Sequence, residues 1–285
     1  SHFHSAFTGG HPISPDVIGF FRAIGLNLKQ CYGLTESGGI FQIQPDDEVK
    51  LETVGKPLPL TEVKLADDQE VLVKSEANFS GYYNDYKSTE AAFENGWLKT
   101  GDAGYIDEDG HLLIIGRKED IIRNKSGEAF SPDFIETRLK FSPYIKEAVT
   151  FGEARPYISA MINIDLGNVG NWAEERMIPY TTYIDLSQQK AVEELILKEV
   201  RQVNEQLPDV MKIKKFVLLY KLLDADDDEL TRTGKVRRRF VYGLYIKIIE
   251  AMYGGLKNVP VTGKIRYRDG RIGEIETTIN IISVD

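Results

Sequence analysis

The 285-residue chain carries 35 Lys and Arg against 44 Asp and Glu, a formal charge of −9, and is 42% hydrophobic and 28% charged. That is the composition of a globular protein with room for one large or two modest domains, and its acidic balance argues against a general nucleic-acid binder, whose footprint is a basic face. Cys31 is the sole cysteine, which excludes an internal disulfide and a cysteine zinc site and fits a cytoplasmic setting.

In chain order, Phe3 to Thr8 predicts a strand running into Gly9-Gly10. Ser14, Pro15 and Asp16 then supply an N-cap, a first-turn proline and a first-turn acid for a helix with Val17, Ile18, Phe21 and Ile24 on one face. LNLKQCYG returns as a strand. One strand–helix–strand unit has too few neighbours to cover both faces of a parallel sheet, so residues 1–52 are expected to be the remnant of a larger α/β domain. Over 53–118 the short alternating segments TEVKLA, EVLVKS and HLLIIGR, with a turn at Asp109-Gly110, predict a β-rich, barrel-like subdomain, interrupted by a short helix opened by Ser88. From 119 to 285 strands (DIIRN, EAVTFG, YISAMINID, KIKKFVLLY) alternate with helices over Pro132 to Lys140, Asn168 to Arg176, Gln188 to Gln206 and Lys235 to Met252. This predicts an α+β domain that ends in a hairpin turned at Asp269-Gly270.

The longest apolar runs, such as KFVLLYKLL, fall short of the ~20 residues a membrane-spanning helix needs. The first residues show no signal-peptide pattern, and peripheral membrane contact and oligomeric state stay open. The acidic loop DADDDEL places Asp224, Asp226 and Asp228 at alternate positions but has Glu229 where a calcium loop needs glycine and Lys235 where it needs glutamate. It is read as a solvated loop, and Arg237 to Arg239 as helix-surface charges open to the phosphates of a ligand or lipid. Cys31, on a strand, is read as a small buried hydrophobe.

Four short segments carry chemistry: YGLTES (Tyr32 to Ser37), WLKTGD (Trp97 to Asp102), GRKED (Gly116 to Asp120) and LTRTGK ending at Lys235. Alone, each reads as a turn with solvated side chains; four in this order over some two hundred residues are hard to reach by chance. Together they resemble the motifs of the adenylate-forming enzymes, the family of acyl-CoA synthetases, luciferases and peptide-synthetase adenylation domains. RPYISAMINID and KKFVLLYKLLDADDDELTRTGK look most like bacterial long-chain fatty acyl-CoA synthetases.

The resemblance implies a role for each matching residue. The Tyr32 ring stacks on adenine, the Thr35 hydroxyl meets the α-phosphate, and Glu36 helps to hold Mg2+, a cation that prefers carboxylate and phosphate oxygens. Gly9 and Gly10 admit the base, Asp102 accepts the ribose hydroxyls, and Arg117 reaches the ribose or a phosphate. His11 stands where many relatives have a small residue. Glu119 falls at the hinge of a mobile C-terminal domain, where relatives have Asp or Lys. KSGEAFSPDFIE, with Gly127, resembles the lining of a pantetheine tunnel. Lys235 supplies positive charge to the adenylation transition state; the rival TGK string at Lys264 is assigned to the tail hairpin.

The implied reaction is attack of a fatty carboxylate on the α-phosphate of ATP, giving acyl-AMP and pyrophosphate, then displacement of AMP by the thiol of coenzyme A. The phosphate-cradling loop of the family has no match, so the chain is expected to be a C-terminal portion, inactive alone. The alternatives are another adenylating enzyme, for amino or aryl acids, and a non-catalytic nucleotide-binding or interaction module.

Overall fold

In the computed structural model, which describes residues 5–10, 13–231, 236–266 and 272–284, the first helix starts where its local chemistry requires. The Ser14 side chain accepts from the Asp16 N–H, Pro15 occupies the first turn, and the helix Pro15–Ala23 buries Ile18 completely. It connects the parallel strands Ala6–Thr8 and Leu28–Leu34, paired Ala6 to Leu28. Leu28–Leu34 then pairs antiparallel with Gly39–Ile43, and that strand with Lys56–Pro57, so the first sheet continues past residue 52. Where these two strands meet, Gly33 pairs with Ile40 and Leu34 with Gly39. A Cβ on Gly33 would lie 2.1 Å from the Gly39 carbonyl oxygen, so only glycine lets the backbones close here.

The chain divides into two compact units, Ser1–Ile121 and Ile122–Asp285. The second sheet of the first unit is antiparallel, with strands Thr61–Leu65, Glu70–Ser75, Trp97–Ile106 and Phe93–Glu94, and Leu112–Arg117 alongside Trp97–Ile106. Its core is small: Phe41, Val73 and Leu98 in one cluster, Val54, Val71 and Leu112 in another. The helix predicted to open at Ser88 spans Tyr86–Ala92 instead. Asp85, three residues upstream, is its N-cap and accepts the Ser88 N–H at 2.9 Å.

In the second unit Ile145–Phe151, Ile158–Ile164, Ile213–Leu218 and Ile282–Ser283 form one sheet, with the Ile158–Ile164 and Ile213–Leu218 strands parallel. Every residue of Ile158–Ile164 is buried, as a central strand covered on both faces must be. The amphipathic helix Lys190–Glu205 buries Val192, Ile196, Val200 and Val203 at helical spacing. A larger cluster holds Val217, Leu219, Val241, Ile248, Ile249, Met252, Val259 and Ile279.

Two predicted helices shift and one helix was not predicted. The helix predicted from Asn168 is Leu166–Glu174, because Asp165 caps it by accepting the Asn168 N–H. A five-residue helix, Tyr183–Ser187, is too short to leave a periodic signal. The long helix predicted to Met252 is two, Arg238–Leu244 and Ile246–Tyr253, parted at Tyr245, whose buried hydroxyl is held elsewhere. The tail hairpin pairs Asn258–Arg266 with Ile272–Asn280 and includes Lys264 in its first strand; the predicted turn at Asp269-Gly270 lies outside the described residues. Among the described residues no helix is long and apolar enough to cross a membrane.

Candidate functional site

Three of the predicted residues meet in the first unit. Asp102 faces Arg117 across an antiparallel strand pair, and the Arg117 guanidinium lies 3.1 Å from Asp102 Oδ1. Tyr32, 70 positions away in sequence, donates its hydroxyl to Asp102 Oδ2 at 2.7 Å. The Asp102 N–H donates to Thr100 Oγ1 at 3.1 Å, and that hydroxyl donates to the Val71 carbonyl at 2.8 Å, which ties the strand carrying the acid to its neighbour. Thr100 had no sequence signal beyond its place in WLKTGD. Burial, and then the Asp102 carboxylate, push the Tyr32 phenol far above its ordinary range, so it stays a proton donor. A carboxylate has about four acceptor sites. Two are used by side chains here, and the Asp102 side chain keeps 12% of its surface open.

Gly9, Gly10 and Thr35 line an open cleft of about 420 Å³ together with Phe7, Cys31 and Gly33. Side chains alternate along a strand, so Tyr32 is directed to the face opposite Cys31 and Gly33, and its ring rests edge-on against Phe41 at 5.0 Å. The structure thus groups the predicted residues in two sets, Gly9, Gly10 and Thr35 on the cleft and Tyr32, Asp102 and Arg117 around the carboxylate. Gly9 is required by packing: a Cβ there would lie 2.8 Å from Cys31 Sγ. Cys31 is buried, as read from sequence, and burial raises its thiol pKa.

Glu36 follows Thr35 in the turn after Leu28–Leu34, a turn closed by Ser37, whose hydroxyl accepts from the Leu34 N–H at 3.0 Å and donates to the Gly39 carbonyl at 2.8 Å. The Tyr82 hydroxyl donates to Glu36 Oε1 at 2.9 Å, a partner that sequence reading missed. Among the described residues no three His, Cys, Asp or Glu side chains are grouped to hold a metal. Glu119 lies in a single 3-10 turn, Lys118–Asp120, beside the division between the units, while Lys118 is tied by ion pairs to Asp68 and Glu70.

In the second unit the Gly127 loop is a tight connection between Ile122–Arg123 and Ala129–Phe130. Asn124 Oδ1 accepts from the N–H groups of Ser126 and Glu128, and Gly127 has φ +83°, the left-handed conformation that glycine supplies. The next helix, Pro132–Leu139, is capped by Ser131 as predicted and buries Glu136. There the sequence reading needs correction. Arg238, read as a surface charge, grips Glu136 through both guanidinium nitrogens at 2.6 and 2.8 Å, and Thr150 donates to the same carboxylate through its N–H and hydroxyl. Burial pushes the Glu136 carboxyl up, against the pull of Arg238.

The acidic loop is not wholly solvated either. Glu229 is fully buried: it accepts from the Tyr245 hydroxyl at 2.6 Å and the Asp224 N–H at 2.9 Å, and pairs with Lys221 at 2.9 Å. Its carbonyl accepts from the Arg237 N–H, and Leu230 bridges to Val236. His11 and Lys235 lie outside the described residues.

Two family descriptions match the chain: the AMP-binding enzyme over residues 1–83 and the AMP-binding enzyme C-terminal domain over residues 119–257. The chain belongs to the AMP-binding enzyme family. It is 37% identical over 250 residues to the long-chain-fatty-acid–CoA ligase FadD15 of Mycobacterium bovis, covering 87% of this chain and 42% of that protein. In fold it is similar to apo MatB of Rhodopseudomonas palustris (TM-score 0.56, 23% identity, 85% of this chain and 46% of that one). It is likewise similar to o-succinylbenzoate CoA synthetase of Bacillus subtilis in complex with its acyl-adenylate (TM-score 0.53, 24% identity, 84% and 46%). The chain thus spans less than half the length of these relatives.

Proposed function

We propose that this chain supplies the nucleotide-holding and C-terminal parts of an ATP-dependent fatty acyl-CoA ligase. The observation that carries the reading is the Asp102 carboxylate, braced by Tyr32 and Arg117 with acceptor capacity left over. Such a carboxylate fits the vicinal hydroxyls of a ribose. Tyr32 orients the acid, and Arg117 lends a permanent positive charge beside it. Thr35, on the cleft, donates to the α-phosphate. Glu36 would hold Mg2+, and that ion, when bound, would supply positive charge beside the phosphates. The fatty carboxylate oxygen attacks the α-phosphorus and the bond to pyrophosphate breaks, giving acyl-AMP; the thiol of coenzyme A then attacks the acyl carbon and AMP departs. Lys235 is assigned to the first step, the Gly127 loop to the second, and Glu119 to the hinge between them. The similarity to FadD15 favours a long-chain fatty acid over amino or aryl acids.

ATP–pyrophosphate exchange by the full-length protein tests this reading. Palmitate should drive exchange where amino acids and aryl acids do not. Asp102→Asn should raise the KM for ATP by about ten- to a hundredfold, the range for a hydrogen bond to a charged group. Exchange driven only by an amino acid, or an unchanged KM, would replace the proposal.

A further inference from the structure

Glu36 is held at two points by one neighbouring segment. Its carbonyl accepts from the Phe79 N–H at 2.7 Å, and its Oε1 accepts from the Tyr82 hydroxyl at 2.9 Å. That segment is anchored in turn. The Tyr82 N–H donates to Thr89 Oγ1 at 2.9 Å, and Thr89 belongs to the Tyr86–Ala92 helix. Gly81, at φ +143°, leaves room for this approach, since a Cβ there would lie 2.5 Å from Thr89 Cγ2. The Phe79 ring sits between Tyr82, edge-on at 4.8 Å, and Phe93, stacked at 5.6 Å. On the opposite side Gly38 packs so closely that a Cβ would lie 2.6 Å from the Ala77 carbonyl oxygen. The turn and its acid are therefore braced from residues 77–82, through contacts that lie wholly within the first unit.

We infer that Tyr82 is a positioning residue: by donating to Oε1 it fixes the Glu36 carboxylate so that Oε2 stands ready for the cation that accompanies ATP. This rests on the proposed reading of Glu36. A glutamate has three side-chain torsions to order before it can ligate, and a donor on one oxygen settles them in advance. Tyr82 suits the task chemically, because its hydroxyl can donate to one carboxylate oxygen and leave the other unoccupied. Tyr83 next to it, 94% exposed, offers an internal control.

The test is a Mg2+ titration of ATP binding by the full-length protein, read by calorimetry without fatty acid, so that no turnover enters. Glu36→Gln should raise the Mg2+ concentration for half-maximal binding most. Tyr82→Phe should raise it about threefold to tenfold, the worth of one hydrogen bond to a charged group near solvent, with binding in excess chelator unchanged. Tyr83→Phe should match wild type, and adding Tyr82→Phe to Glu36→Gln should change nothing further. Should Tyr82→Phe fold poorly, Thr89→Val, which frees the Tyr82 N–H and leaves its hydroxyl, should shift the midpoint in the same direction. A Glu36→Gln shift with no Tyr82→Phe shift overturns the inference and leaves the nucleotide reading standing. No shift for Glu36→Gln removes the Glu36 assignment and the inference with it. A Tyr82→Phe shift that persists beside Glu36→Gln shows that Tyr82 acts elsewhere, and also overturns it.

Discussion

The carboxylates of the two units are built to opposite specifications. In the second unit Glu136 takes four donors from Arg238 and Thr150, and the fully buried Glu229 takes three, from Tyr245, Lys221 and a backbone N–H. In the first unit Asp102 and Glu36 are steered by one tyrosine hydroxyl each and remain partly open. A buried acid saturated by its own chain fixes where elements join, whereas an acid left short of partners can take a ligand. Both kinds sit beside motif residues, so proximity to a motif does not distinguish them. The count of filled acceptor sites does.

Stability measurements can break this comparison. Trp97 and Trp172 are the only tryptophans and lie one in each unit, so replacing either by Phe lets fluorescence follow the other unit through urea unfolding. The largest loss is expected for Glu229→Ala, which strands the Tyr245 hydroxyl and leaves Lys221 with Asp227 alone: about 3–5 kcal/mol in the second unit, the cost of breaking a buried pair from one side. Arg238→Ala should cost about 3 kcal/mol there, at the low end because the guanidinium is partly solvated. Asp102→Asn should cost the first unit under ~1 kcal/mol, since the amide still accepts from Tyr32; a loss as large as that for Glu229→Ala would place Asp102 with the structural acids. The smallest effect concerns Cys31. Burial raises its thiol pKa, so alkylation by iodoacetamide should be slow and reach half-maximal rate above the ordinary thiol value of about 8.5. Fast modification at neutral pH would show that the cleft wall opens.

Features that depend on neighbours in sequence were legible there. Ser14-Pro15 and Ser131-Pro132 each begin a helix as expected, because a cap is satisfied within three residues. The alternating segments around Val71 and Leu112 became strands. What escaped depends on distant partners. The break at Tyr245 accompanies the hydroxyl's contact with Glu229, sixteen residues back, and no periodicity registers that. Asp85 and Ser88 are both capable caps, and it is Asp85 that accepts the Ser88 N–H. At the site, motif matching named Tyr32, Asp102 and Arg117, and the fold brings them together. It missed Tyr82, because Gly-Tyr-Tyr reads as an exposed turn until the strands bring Glu36 beside it. Arg238 and Glu136, 102 positions apart, could not be paired by spacing at all.

The contact between Gly33 and Gly39 bears on how a mutational map of this protein would be interpreted. Any side chain at Gly33 collides with main chain, which cannot rotate aside as a side chain can. In a saturation screen scored by growth, Gly33 would rank with the residues that touch substrate, yet its variants would fail through low cellular abundance. Scoring protein level and turnover in parallel would separate it from Asp102, whose variants should accumulate normally and turn over slowly.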